Sequence, residues 1–352
     1  MPGNTLGKNF RVTTWGESHG VAYGVVIDGC PAGLYISEKE IQEEVNRRKP
    51  LAGSKASTSR IEEDKIRILS GIFEGKTLGT PISIIVENKN TKSGDYEALK
   101  SVYRPGHADY SYDLKYGIRD PRGGGRSSGR ETISRVMGGA VAKKILRKHS
   151  GTEFFGHTIQ VGHIQAKKFD KKHLGNDPIR CADKEVSVKM MKLIDKLRKE
   201  GDSIGAIVEI IIKNPPKGLG EPVFDKLSAE LAKAMMSIGA VKGVEIGDGF
   251  KVATMKGSEN NDQMRTTSGK VKFLSNHSGG ILGGISTGAD IVLRLAIKPV
   301  ASISKKQKTI TKSGKNTTVQ IFGRHDCCLA PRIIPVAESM AALVLANFLK
   351  RK

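Results

Sequence analysis

Two stretches of this chain follow one pattern at a constant offset of 185, counted from Gly16 to Gly201. Residues 16–34 read GESHGVAYGVVIDGCPAGL and residues 201–219 read GDSIGAIVEIIIKNPPKGL. Gly16, Ser18, Gly20, Pro31, Gly33 and Leu34 recur as Gly201, Ser203, Gly205, Pro216, Gly218 and Leu219, and Val25-Val26-Ile27 recurs as Ile210-Ile211-Ile212. Each copy reads as a turn, a β-branched strand and a Pro/Gly turn. A helix follows each: Ser37-Glu38-Lys39-Glu40 has capping-box spacing and opens a helix to about Arg47, and Phe224 to Met236 is its counterpart. A repeat of this kind restricts the chain to two related halves that face each other.

The length of 352 residues exceeds what one simple core reaches, roughly 250–300 residues. With the repeat, it predicts a single domain over 1–352 with pseudo-repeats beginning near 16 and 201. Strands are expected at 9–14, 22–28, 66–70, 81–87, 205–213 and 289–297, and a long helix from near Ser128. Ile133, Val136, Met137, Ala140, Val141 and Ile145 give that helix one apolar face. Gly138-Gly139 within it is unfavourable by roughly 1 kcal/mol per glycine, which close packing against another backbone would explain. Further helices are expected at 186–199, 224–237 and 332–349. Strands and helices mix without strict alternation, so the predicted class is α+β.

The net charge is +22. Nucleic acid is the obvious partner for such a chain, but the lysines are scattered, aromatics are only 5%, and no zinc-finger, RRM or basic-helix pattern occurs. The expectation is therefore no nucleic-acid partner. No apolar run approaches the ~18–20 residues of a membrane span, and the N-terminus lacks a signal-peptide pattern. Cys30, Cys181, Cys327 and Cys328 form no disulfide framework, which fits a reducing cytoplasm.

Five stretches carry the chemistry. Gly16-Glu17-Ser18-His19-Gly20 has glycines that free the backbone to approach a ligand and a histidine suited to proton transfer. The second copy has Ile204 where the first has His19, so the scaffold does not need a histidine there. Arg104-Pro105-Gly106-His107-Ala108-Asp109 sets a histidine after a Pro-Gly turn, beside an arginine able to grip phosphate or carboxylate. Arg122-Gly123-Gly124-Gly125-Arg126-Ser127-Ser128-Gly129-Arg130 leads into the long helix and reads as an anion cradle. It matches neither a Walker A loop nor a Rossmann fingerprint. Gly323-Arg324-His325-Asp326-Cys327-Cys328, followed by Arg332, sets a carboxylate among basic groups. Zinc is the rival there, but adjacent ligands fit tetrahedral geometry badly, so no metal is expected. Ser275-Asn276-His277-Ser278-Gly279-Gly280-Ile281-Leu282-Gly283-Gly284 is small and backbone-rich; it suits either a flat ring or phosphate, or a tight turn between strands.

Taken together and in this order, GESHG, RPGHADY, RGGGRSSGRET, SNHSGGILGG and GRHDCC resemble the chorismate synthase family along nearly the whole chain. The resemblance implies a β-α-β sandwich fold and a homotetramer. It implies a flavin-dependent lyase that takes 5-enolpyruvylshikimate-3-phosphate to chorismate with reduced FMN and no net redox change. No room is left for an added flavin reductase domain, so the resemblance is to the monofunctional type, served by an external NADPH-dependent reductase or other reductant. It assigns His19, His107 and Asp326 to catalysis, and Ser18, Arg48, Lys55, Arg104, Arg130, Arg324 and Arg332 to the substrate. Arg126, Ser127, Ser128, Gly239, Ala240, Gly284, Lys298, Pro299, Val300, Ala301, Ser302 and Arg324 match flavin-binding positions. The sequence departs from the family pattern at Lys55, where arginine is usual, at Gly239 for asparagine, at Val300-Ala301 for Thr-Ser and at Cys327 for proline. A flavin oxidoreductase and an RNA- or phosphate-binding module are the alternatives; neither accounts for two histidines in separate arginine-rich motifs.

Overall fold

Alternate residues of a strand point to opposite faces of its sheet, and the strands of this chain carry apolar side chains at every second place. The computed structural model describes residues 3–49, 63–88, 99–175, 177–323 and 325–349, and it contains two five-stranded antiparallel sheets. The first joins β1 (Thr5–Leu6), β2 (Arg11–Trp15), β3 (Ala22–Asp28), β4 (Ile66–Ser70) and β5 (Ile82–Glu87) in the order β1-β2-β3-β5-β4. The second joins β6 (Glu153–Val161), β7 (Ile164–Gln165), β8 (Ala206–Lys213), β9 (Val241–Ile246) and β10 (Ile291–Ile297) in the order β7-β6-β8-β10-β9. Val25 and Ile27 with Ile82 and Ile84 bury one face of the first sheet, and Val208 and Ile210 with Leu293 and Leu295 bury one face of the second.

Between the sheets lie α1 (Glu38–Arg47), α3 (Thr132–Ser150), α5 (Leu227–Met236) and α6 (Ala330–Phe348); α2 (Asp109–Tyr116) and α4 (Lys184–Lys199) complete the longer helices. Helix α3 packs on the first sheet, α6 on the second, and α3 and α6 on each other, which makes the β-α-β sandwich. Residues Ile333 to Ala346 of α6 are all buried, as expected of a helix enclosed on every side. The glycine pair in α3 marks the crossing: a Cβ on Gly139 would lie 2.3 Å from Ser339 Cβ.

The halves share one chain path of strand, strand, helix, strand, strand, helix. Thus β2, β3, α1, β4, β5 and α3 correspond to β6, β8, α5, β9, β10 and α6, and the four main strands of each sheet lie in the same order. Two of these strands are not evident from sequence. Gly156 interrupts β6 and Gly243 interrupts β9, and glycine weakens a strand pattern. At Gly156 the reason is space: a Cβ would lie 2.5 Å from Ile210 Cδ1 and 2.9 Å from Ile334 Cγ2.

Candidate active site

The connections that meet at one edge of the helical layer bring the sequence motifs together around a cleft of 1410 Å³. The β2–β3 turn carries Ser18 and His19. Ser18 Oγ accepts the Gly125 N–H at 3.0 Å and lies 3.2 Å from His19 Nδ1. Gly123 has φ 128°, and a Cβ there would lie 2.6 Å from His19 Nδ1 and 2.8 Å from Ser18 Oγ. Glycine is what lets the third motif close upon the first. Arg126 ties the same loop to β2, donating to Thr14 Oγ1 at 2.7 Å and to the Gly16 carbonyl at 3.2 Å. Ser128 Oγ accepts the Arg130 N–H at 3.3 Å and so caps the turn that leads into α3.

Two buried carboxylates organise the arginines. Asp109, the first residue of α2, receives Arg104 Nε and Nη2, each at 2.7 Å, and lies 2.9 Å from His107 Nδ1. Burial alone would raise its pKa, but the hydrogen bonds from Arg104 and His107 hold the carboxyl far below the usual range. Asp64 stands between Arg48 and Arg130, receiving Nη2 of each at 2.8 and 3.1 Å.

The second half supplies the facing wall. Lys298, just beyond β10, donates through Nζ to the Gly106 carbonyl at 2.9 Å, and its own N–H meets the Ala240 carbonyl at 2.9 Å. Burial, followed by repulsion from Lys242, lowers the Lys298 pKa. Ser203, the counterpart of Ser18, donates to the Val300 carbonyl at 2.8 Å, so the repeated serine holds the lining loop in each half. Ala240 sits at φ 75°, a left-handed conformation that costs an alanine on the order of 1 kcal/mol. Leu329, Ile333, Val336, Met340 and Leu343 give the cleft an apolar side along α6. Asp326 faces the cleft from just before α6 and accepts from Arg332 at 2.8 Å.

The family model described as chorismate synthase matches residues 10–349. The chain is 55% identical to a chorismate synthase of Methanosarcina mazei over 356 residues, covering 100% of this chain and 97% of that protein. It is 53% identical to one of Chloroflexus aggregans over 353 residues, covering 100% and 96%. A crystal structure of chorismate synthase superposes with a TM-score of 0.76 at 32% identity, covering 97% of this chain and 92% of that one. The chain belongs to the chorismate synthase family. It is accordingly a carbon–oxygen lyase acting at the last shared step of the shikimate pathway.

Most of the positions matched to chorismate synthase motifs line this one cleft: Ser18, His19, Arg48, Arg104, His107, Arg126, Ser127, Ser128, Arg130, Gly239, Ala240, Lys298, Pro299, Val300, Ala301, Ser302, Asp326 and Arg332. Lys55 and Arg324 lie outside the described residues. Gly284 is not among the residues that line the cleft. Its carbonyl accepts the Leu227 N–H at 2.8 Å, at the start of α5, whereas the cleft meets the other end of that helix at Ser237. In the second half, Ile281–Leu282 of the Ser275–Gly284 stretch pairs with Ile285–Ser286, and Ser275–Gly280 before it is a turn. The Asp262 carboxylate holds it, accepting from Ser275 Oγ at 2.7 Å, from the His277 N–H at 2.7 Å and from the Ser278 N–H at 2.9 Å.

Burial pushes the Cys327 thiol up to about 11 and the Cys328 thiol up to about 12, so both rest as neutral thiols. Sequence reasoning passed over Asp64, Asp109 and the pair Glu131–Arg135. Arg135 Nη1 donates to Ser237 Oγ at 2.7 Å and steadies the turn before Gly239. The one available signal was the place of Asp109, two residues after His107 in its motif.

Proposed function

We propose that the cleft binds 5-enolpyruvylshikimate-3-phosphate beside reduced FMN and carries out the 1,4-anti elimination that gives chorismate. Phosphate leaves C3, a hydrogen leaves C6, and no net redox change remains. The observation that carries this reading is the convergence of His19, His107, Asp326 and the arginines, from separate connections, on one cleft with an apolar side.

The lining suits a flavin. The apolar residues of α6 flank one side as a fused ring requires, and Gly239-Ala240 and Val300-Ala301-Ser302 offer backbone with little side chain in the way. Arg126, Ser127, Ser128 and the Lys298–Ser302 loop would hold it, with Gly239 and Ala240. When bound, reduced FMN supplies an electron transiently and recovers it with the departing hydrogen. The protein's part is to bind, orient and move protons. Arg48, with Lys55, balances the charge of the leaving phosphate. His19 gives that phosphate a proton as general acid. Arg130 and Arg324 hold the substrate carboxylates, and Arg332 keeps Asp326 oriented for the hydrogen that leaves C6. His107 governs protonation at the edge of the flavin ring.

The reading extends to one functional unit over residues 1–352, a cytoplasmic homotetramer served by an external NADPH-dependent flavin reductase or another reductant. A sealed anaerobic assay tests it. One reduction of FMN should support many turnovers, phosphate and chorismate should appear in equal amounts, and oxidised FMN alone should give nothing. One reductant consumed per product would point to a flavin oxidoreductase instead.

A further inference from the structure

The His107 imidazole has two nitrogens, and the proposed role in protonation leaves open which of them carries the proton. The structure bears on this through Asp109. That carboxylate is buried, takes two arms of the Arg104 guanidinium, accepts the Arg104 N–H at 3.2 Å, and has Arg119 Nη1 at 3.6 Å. Three N–H groups of Arg104 therefore converge on a carboxylate that is held ionised. An ionised carboxylate only accepts hydrogen bonds. Its 2.9 Å contact with His107 Nδ1 consequently requires a hydrogen on Nδ1.

We propose that Asp109 is a positioning residue that fixes neutral His107 as the Nδ1–H tautomer, so that Nε2 is the nitrogen that meets the bound ligand and exchanges a proton with it. The inference rests on the proposed role of His107 in the cleft and adds to it which nitrogen takes part. The other groups around the turn support the same geometry. Arg104 also holds the Gly123 carbonyl at 3.0 Å and Lys298 holds the Gly106 carbonyl at 2.9 Å, so the backbone on either side of the motif is pinned. Two flanking cations, Arg104 and Arg119, keep Asp109 from taking the proton off Nδ1. His19 is set differently. Its Nδ1 faces Ser18 Oγ, a hydroxyl able to donate or accept, so that contact does not dictate which nitrogen carries the hydrogen. The two histidines are thus held by different kinds of partner at Nδ1, His107 by a carboxylate and His19 by a hydroxyl.

The test reads the tautomer itself. Full-length enzyme labelled with 13C,15N-histidine, compared with His107→Gln to identify the signal by difference, should show neutral His107 as Nδ1–H. In Asp109→Asn, Arg104 keeps the amide oxygen and the amide nitrogen falls beside Nδ1, so the ring should switch to Nε2–H. That variant should lose about 100-fold in kcat with little change in KM for the phosphorylated substrate. Asp109→Glu should retain the Nδ1–H form. The double variant Asp109→Asn/His107→Gln should be no slower than His107→Gln alone, because the two residues act as one unit. A wild-type His107 in the Nε2–H form, which can be read even if Asp109→Asn does not fold, overturns the proposal, as does an Asp109→Asn enzyme that keeps Nδ1–H. A His107→Gln enzyme of full activity, with the tautomer still following Asp109, would sink the catalytic reading of His107 and leave the positioning intact.

Discussion

Glu338, enclosed at the centre of α6, receives both arms of the Arg47 guanidinium from the end of α1, at 2.6 and 2.8 Å. Lys143 of α3 adds a contact of 2.8 Å. One carboxylate thereby ties together helices from both halves, directly behind Arg48 and the cleft. Burial works to raise its pKa, but Lys143 and Arg47 outweigh that and bring it down from 4.5 to about 2. A carboxyl lowered in the folded state contributes stability that is complete above the unfolded value and lost as pH falls through the folded one. The contribution, on the order of 3 kcal/mol, should fade between about pH 4.5 and 2. Glu338→Gln should flatten this part of the acid unfolding curve, which chemical denaturation at stepped pH would reveal. Glu338→Ala should cost ~1–3 kcal/mol, because Arg47 and Lys143 are only partly buried and keep Glu44 as a shared partner at 2.9 and 2.7 Å.

Gly123→Ala should cripple the enzyme without unfolding it. The new methyl would meet His19 Nδ1 at 2.6 Å and Ser18 Oγ at 2.8 Å, from a backbone at φ 128°. Turnover should fall by roughly 100-fold, the scale of a displaced acid–base group, while the denaturation midpoint moves modestly. A variant that turned over normally would show that the contact between the first and third motifs does not matter for the reaction.

His19→Ala and His107→Ala should each lower turnover by ~100-fold or more. His163→Ala is the control, because His163 is exposed and off the cleft wall. Near-normal rates in both cleft variants would remove these histidines from the reaction.

Lys298→Met should weaken flavin binding by about 10-fold, the factor expected when a charged group's hydrogen bond, worth ~1.5 kcal/mol, is lost. The cause would be slackening of the turn at Gly106, whose carbonyl the lysine holds from the other half. Titration of reduced FMN into apoenzyme under anaerobic conditions measures it. The affinity for the phosphorylated substrate should change less.

The sequence made the central strands plain, because β3, β5, β8 and β10 are rich in Val and Ile and each abuts a turn residue, Gly29, Pro81, Gly205 and Asp290. Helix α1 was equally legible from its capping box, in which Ser37 Oγ meets the Glu40 N–H at 3.3 Å. Strands β6 and β9 were hidden by Gly156 and Gly243, of which Gly156 serves packing between sheet and helix, where a Cβ would lie 2.9 Å from Ile334 Cγ2. In the site, the histidines and arginines announced themselves through their motifs. The carboxylates that set their positions did not. Asp64 stands in no motif and adopts φ 44°, unusual for a residue other than glycine. Its partners come from positions 48 and 130, so only the folded chain shows what it joins.

The seating of the cleft between the halves has a thermodynamic consequence. A ligand held there touches the Ser18–His19 turn of one half and the Lys298–Ser302 loop of the other, so any opening that parts the halves also dismantles its binding site. By mass action, occupancy opposes such opening by RT ln(1 + [L]/Kd), about 2.7 kcal/mol at a hundredfold excess over Kd. The enzyme's resistance to heat and proteolysis should therefore rise and fall with the supply of its own substrate and flavin. A cell short of either would hold this protein in a more perishable form, and the apoenzyme's lifetime would report on nutrition as well as on sequence.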